Sequence, residues 1–344
     1  MRPDPDQTEA VVPGVLNTDE AASELSGVYD FVVFAGSGVE RGAGVPGWRK
    51  LLEQIKDRAG VPDEVVDNDR ISNCSGHDFP DVAQMMFEHL MASRRGAEWY
   101  SVITRALQSQ LTPYTAQQVE IFCATPHVVT TNFGMSFEEA YRVARPHYRV
   151  QSANHPLHVA ALPDFDIAPI FAGPSVVYLH GRADAHHIIL TRDEYERYYP
   201  LPRGGGARVP DVEQFLRHLY EQRTVVFVGF SFRDECFLRC LRHLHEGVKL
   251  SDEVAGGMVG RTPRLGRIRH YAFVMRPERG PSEDPNGVGN EHESYRRLCE
   301  ELVQMHISPV EMRQYIDWMQ CFSQVRPSRG LEFRATQEGE RSVL

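Results

Sequence analysis

The sequence predicts an α/β fold, a parallel sheet covered by helices on both faces, and three observations carry that expectation. Short apolar runs rich in Val, Phe and Tyr close on glycine or a small polar residue. Amphipathic helical patterns stand between them, and the runs lack the polar alternation of strands with one face in water.

The first strand is expected in VYDFVVFAG, beginning near Val28. Residues 1 to about 26 mix Pro, Asp, Glu and Ser without a period and read as a loose arm or capping segment. VPGWRKLLEQIKDRAG then sets Trp48, Leu51, Leu52 and Ile55 on one helical face. DVAQMMFEHLMASRR, WYSVITRALQSQL and TAQQVEIFCAT continue as helices, an inserted helical subdomain over roughly 80–124. Strands are expected again in HVVTTN, SVVYLHG, HHIILT, TVVFVGFS and HYAFVM, with helices in MSFEEAYRVA, DVEQFLRHLYEQ and DECFLRCLRHLHEG. LPRGGGARVP and RPERGPSEDPNGVGN read as exposed loops. From about 291, ESYRRLCEELVQMH and VEMRQYIDWMQCF read as a helical cap. The expected organisation is therefore an arm over 1–26, a main domain over 27–280 and a helical extension over 281–344, with no internal repeat.

At 344 residues and 42% apolar, the chain can bury a large core. Its 37 basic side chains face 47 acidic ones, a net charge of −10, and only Lys50, Lys56 and Lys249 are lysines. That balance disfavours general nucleic-acid binding, which needs clustered positive charge. No run of eighteen apolar residues occurs and MRPDPDQTEA lacks the form of a secretion signal, so a cytoplasmic protein without a membrane partner is expected. Six scattered cysteines suit reduced thiols. Cys236 and Cys240 share a helical face, but no second pair completes a four-thiolate site, and no metal is expected.

Four segments point to chemistry. GSGVERGAGVPGWR, residues 36–49, joins a strand to a helix, where backbone amides can receive a pyrophosphate or simply form a tight turn. None of the three lysines precedes Ser or Thr, so a Walker-type ATP site is disfavoured. VVTTNFG brings Thr131 and Asn132 to a strand's carboxyl end, facing a ligand crevice or capping the next helix. VVYLHG ends an apolar strand on His180, a proton-exchanging or a structural histidine. VVFVGFSFRDECF places Gly229 and Ser231 after another strand, with Asp234 at the following helix start. Arg233 stands where a G-x-S-x-G nucleophile elbow needs its second glycine, which disfavours a serine hydrolase.

In this order the four segments resemble the Sir2 family. G-S-G-V-E-R-G-A-G-V-P-G-W-R is similar, without a gap, to G-A-G-x-S-x-x-x-G-I-P-x-F-R, aligning Gly36, Gly38, Gly44, Pro46 and Arg49. TTN is similar to the T-Q-N segment, LHG to the catalytic-histidine segment and GFS to the G-x-S segment, so the resemblance spans about 28–275. Glu40 stands for the usual serine, Gly134 for the Asp two residues after Asn132, and Gly47 for the Asp before the aromatic. No cysteine lies between 180 and 231, where deacylases of the family carry a four-cysteine zinc module.

The resemblance implies a Rossmann-like domain without a zinc ribbon, and NAD as substrate. The departures point to the bacterial antiphage-defence branch, SIR2-HerA type above all, whose implied activity is hydrolysis of NAD to nicotinamide and ADP-ribose. On that resemblance Asn132 and His180 are the catalytic residues. Gly36, Ser37 and Gly38 receive the diphosphate, Arg49 lies near the nicotinamide, Thr131 belongs to the NAD site, and Gly229 with Ser231 flanks the adenosine ribose. An NAD-dependent deacylase or ADP-ribosyltransferase, and a silent NAD- or ADP-ribose-binding module, are the alternatives. Implied partners are further copies of the chain, a HerA-like ATPase or another defence protein.

Overall fold

Alternate residues of each central strand point to opposite sides of a sheet, and here both sides are apolar. In β1 (Phe31–Ala35), Val32 and Phe34 join one core while Phe31, Val33 and Ala35 join another, and all five are buried. The computed structural model describes residues 13–28, 31–74, 78–108, 114–147, 156–161, 170, 172–184, 187–199, 211–232, 234–256, 268–277 and 288–325. Among these, seven strands form one sheet: β1, β2 (His127–Thr130), β3 (His158–Ala161), β4 (Ser175–Tyr178), β5 (Thr224–Val228), β6 (His270–Met275) and β7 (Ile307–Met312), in the order β3-β4-β2-β1-β5-β6-β7. Every pairing is parallel, with Val33 opposite Val128 of β2 and Val226 of β5. The fold is α/β and Rossmann-like, as the apolar runs predict.

Helices Asp211–Gln222, Glu235–Gly256 and Val288–Gln304 cover one face of the sheet, burying Phe215, Phe237, Leu241 and Leu302 against it. Thr18–Ser26, Ala116–Ala124, Ser136–Ala144 and Asp317–Val325 cover the other with Leu25, Phe122, Phe137, Trp318 and Phe322. A third core belongs to a helical lobe built from Trp48–Ala59, Asn68–Asn73, Phe79–Ala92 and Trp99–Gln108. Phe133, Ala183, Ile188 and Leu190 reach into that lobe from the segments after β2 and β4, joining it to the sheet's carboxyl edge.

Several expectations are corrected. The stretch before Val28 is not loose throughout: Thr18–Ser26 is a helix, and only residues 1–12 of the expected arm lie outside the described residues. The Asn17 side chain accepts from the Glu20 amide, the Glu20 side chain accepts from the Asn17 amide, and Leu25 seals the helix on the sheet's core. Helix Ala116–Ala124 packs on the sheet and not in the inserted lobe, whose core instead begins at Leu51. HHIILT supplies no strand; Ile188 makes a single antiparallel bridge to Gly181, and His186 lies outside the described residues.

The segment read as a terminal helical cap contributes β7 before its helix. Pro309 lacks an amide and is tolerated there because β7 is the edge strand, where Leu16 donates to its carbonyl at 2.8 Å. The loop expected at 201–210 and most of that at 276–290 lie outside the described residues, as does Arg233.

Phe34 joins Phe227, Phe230 and Phe237 in one aromatic cluster, its ring centroid 4.9–5.4 Å from each of theirs. Truncating it leaves a cavity at the centre of the sheet. Phe34→Ala is expected to lower unfolding stability by about 3–5 kcal/mol in urea titration, while a loss under 1 kcal/mol would place the ring outside the core.

Candidate functional site

The sheet changes direction of growth at β1: the chain adds β2, β4 and β3 on one side and then crosses to β5 on the other. Open parallel sheets place ligands at the carboxyl ends of the strands flanking such a point. Here those ends are bolted together. The Gly36 amide donates to the Val228 carbonyl and the Gly38 amide to the Gly229 carbonyl, both at 2.9 Å. A Cβ at 36 would stand 2.4 Å from the Gly229 oxygen and one at 38 would stand 2.8 Å from it, so only glycine permits this crossing.

Two cavities flank the crossing. The first, of about 710 Å³, is lined by Asn132 and His180 together with Ser37, Glu40, Arg49, Thr131, Tyr195, Ser231 and Asp234. Trp48, Phe79, Phe133 and Phe230 give it an aromatic wall, with Trp48 stacked on Phe79 at 5.7 Å. The second, of about 1030 Å³, is lined by Gly38, Gly229, Tyr295, Arg297 and Tyr315 among others. Ser37, Phe230, Ser231 and Glu235 line both.

Asn132 follows β2 and is held from two sides. Its amide donates to Thr130 Oγ1 at 3.0 Å, and its Nδ2 donates to the Gly36 carbonyl at 3.0 Å. It does not cap Ser136–Ala144: Met135 is the N-cap residue of that helix. Thr130 Oγ1 in turn donates to the Ala35 carbonyl, so β1 and β2 fix the side chain through their own ends.

His180 follows β4 and is 2% exposed. Its Nε2 lies 2.9 Å from the Tyr199 hydroxyl, and its Nδ1 makes a longer 3.5 Å contact with the Tyr195 hydroxyl. Tyr195 donates to Asp234 Oδ2 at 3.1 Å, leaving its oxygen to accept. The network therefore assigns the proton to Nδ1 and makes Nε2 an acceptor from Tyr199. Burial pushes the imidazole down to about 3, so it is neutral. Asp234 also caps helix Glu235–Gly256, accepting from the Phe237 amide at 3.0 Å, and burial raises its carboxyl.

Of the expected NAD-binding residues, Ser37, Arg49, Thr131 and Ser231 line the first cavity, and Ser37, Gly38, Gly229 and Ser231 the second. Gly36 lines neither. The amides of Gly36 and Gly38 already donate to the Val228 and Gly229 carbonyls, and Ser37 stands between them at the junction of the two cavities. Arg49 donates to the Cys74 carbonyl at 3.5 Å. Cys236 lines the first cavity, its thiol pushed up to about 11 by burial, and among the described residues no group of three or more His, Cys, Asp or Glu gathers as metal ligands would.

Sequence reasoning missed Tyr195 and Tyr199 as partners of His180. Their signal is the spacing of four in RDEYERYY, which aligns two aromatics along one side of a helix. Glu40 and the aromatic wall were also missed as members of the site.

Residues 126–286 match the family model of a SIR2-like domain. The match holds Asn132, His180, Gly229 and Ser231, and it begins after the crossing loop at 36–43. No curated protein matches the chain.

A histidine depressed from 6.5 to about 3 binds its proton in the unfolded chain first, so it withdraws stability as pH falls from about 6.5 toward 3. His270, likewise pushed down to about 3 by burial, adds to the same slope. His180→Gln is expected to show a shallower fall of thermal midpoint between pH 6.5 and 4.5 than the parent chain; equal slopes would mean that the buried ring is protonated in the folded protein.

Proposed function

We propose that the protein is an NAD glycohydrolase that converts NAD and water to nicotinamide and ADP-ribose. One observation carries this reading: a buried amide and a buried neutral imidazole line one cavity, which shares its Ser37–Ser231 border with a second. Together the two have room for the halves of a dinucleotide, with the diphosphate passing Ser37. The SIR2-like match over 126–286 is consistent with an NAD site.

The bond to be broken joins a cationic pyridinium to ribose. When nicotinamide leaves, it departs neutral and the sugar takes up the positive charge. Aromatic faces at Trp48 and Phe133 suit a flat cationic ring. Glu40 and Asp234 are among the acids of this cavity, and their acceptor oxygens can face charge that develops on the sugar. With Nδ2 held by Gly36, Asn132 presents its amide oxygen to a ribose hydroxyl or to the incoming water.

His180 is a weak base in its dry setting, and the reaction does not require a strong one. Water attacking a sugar cation becomes acidic as the bond forms, so a neutral ring that exchanges its Tyr199 contact for the water or a ribose hydroxyl suffices. The proton lost by the water leaves with solvent, and atoms balance as ADP-ribose, nicotinamide and H⁺.

We place this activity in bacterial antiphage defence by NAD depletion, restrained by self-assembly or by an ATPase partner of the HerA kind, which is the setting the sequence resemblance implies. Molar mass and NAD turnover measured across protein concentration test the restraint; a fully active monomer unaffected by dilution counts against self-assembly.

The chemistry is tested with purified protein and NAD alone. Nicotinamide is expected in equal amount to ADP-ribose without any acyl-peptide, and Asn132→Ala and His180→Ala are each expected to lower turnover about 100-fold or more while remaining folded. Dependence on an acyl-peptide would instead favour deacylation, tight NAD binding without turnover would favour a silent module, and unimpaired turnover in both variants would remove the two residues from the mechanism.

A further inference from the structure

Glu40 is 1% exposed, lines the first cavity, and has no cation beside it in a hydrogen bond or ion pair among the described residues. Its Oε1 accepts from Ser136 Oγ at 2.7 Å and from Gln118 Nε2 at 3.2 Å. Its Oε2 is buried with no hydrogen-bond partner among the described residues. A buried carboxylate oxygen left alone is costly, and folded proteins keep one where something else satisfies it.

The carboxyl also accounts for Gly134. A Cβ built at 134 would meet Glu40 Oε1 at 3.1 Å and Oε2 at 3.5 Å, and its three nearest atoms all belong to this carboxyl group. The backbone at 134 is not in the left-handed region, so conformation does not demand glycine there. The acid at 40 and the empty position at 134 are one arrangement: a carboxyl group brought in from the loop after β1 stands where a side chain on the segment after β2 would begin.

We propose that Glu40 is the sugar-binding acid of the first cavity, its Oε2 accepting a hydroxyl of the ribose that carries nicotinamide, with Gly134 making room for it. This rests on the NAD reading above. Two further features agree with it. Gln118 also donates to Ser136 Oγ at 2.7 Å, and Thr115 ties the same helix to the Val39 carbonyl at 3.1 Å, so Oε1 is clamped and Oε2 is the oxygen left without a partner among the described residues. Burial first, and then the nearby Glu138, raise the carboxyl to about 7, and a ribose hydroxyl donating to Oε2 would draw it back toward the ionised form that accepts.

Calorimetric binding of ADP-ribose and of ADP, which lacks the second ribose, tests the assignment on the full chain. Glu40→Gln keeps the size of the side chain and is expected to weaken ADP-ribose about tenfold or more while changing ADP less than about threefold. Glu40→Ser alone is expected to show the same selective loss. Glu40→Ser combined with Gly134→Asp returns a carboxyl to the same space from the other side and is expected to recover ADP-ribose binding to within about threefold of the parent chain.

Equal loss of both nucleotides would make Glu40 a strut between loop and helix and overturn the proposal, as would no loss of either or a swap that fails to restore. Should Glu40→Gln not fold, the swap decides alone. NAD turnover is read separately: a selective loss of ADP-ribose in a chain that does not hydrolyse NAD keeps this inference and removes the glycohydrolase reading. A parent chain that hydrolyses NAD yet binds ADP-ribose no better than ADP does the reverse.

Discussion

The site depends on the contact between two backbones at the crest of the sheet. Gly36 and Gly38 donate to consecutive carbonyls at 228 and 229, closer than any Cβ would allow. β1 and β5 flank the point where strand order reverses, and these bonds hold their carboxyl ends together past Ala35 and Val228. Pinning them makes a narrow ridge with a cavity on either side. The same ridge orients Asn132, whose Nδ2 reaches the Gly36 carbonyl, and positions Ser37 in the wall of both cavities. Ligand room and side-chain geometry thus follow from a handful of main-chain bonds that any substitution at 36 or 38 would prise apart.

Around that ridge the protein buries ionisable groups without giving them opposite charges. Desolvation lowers His180 and raises Glu40 and Asp234, so all three are driven toward their neutral forms. They are satisfied by hydroxyls and amides instead: Tyr199 and Tyr195 for the imidazole, Ser136 and Gln118 for Glu40, Tyr195 and a helix amide for Asp234. Fixed ion pairs in such a cavity would resist any rearrangement of charge. Neutral, hydrogen-bonded groups in a dry wall can answer a charge that moves during reaction, which is what the proposed departure of a pyridinium leaving group would require.

The strands nearest the site were legible because each is an apolar run buried on both faces, and burial on both faces is written directly into composition. β3 and β7 were not. HVAA is short and only partly buried, and ISPVEM carries a proline that is compatible with a strand only at an edge that sequence does not reveal. Thr18–Ser26 escaped notice because its stability lies in one capping box and three buried residues, too few to make a period. The places of Asn132, His180 and Ser231, each just after a strand, were legible too. What filled the space between them was not, since Tyr195, Tyr199 and Phe133 meet His180 through tertiary packing of a helix and a loop.

Glu40 and Gly134 show most clearly where linear reading stops. Ninety-four positions apart, they register along the chain as two unrelated departures from a family pattern, one gaining an acid and one losing it. In space the gained carboxyl occupies the volume that the lost side chain would enter. A cavity constrains which functional group it holds and where the oxygens lie; it is indifferent to which strand supplies the backbone. Once the loop after β1 delivers a longer acid from one side, a side chain from the other would crowd it, and glycine is the residue that fits without displacing the carboxyl. The pair is then a single chemical feature with two addresses, and its function is decided by the oxygen that the protein leaves without a partner.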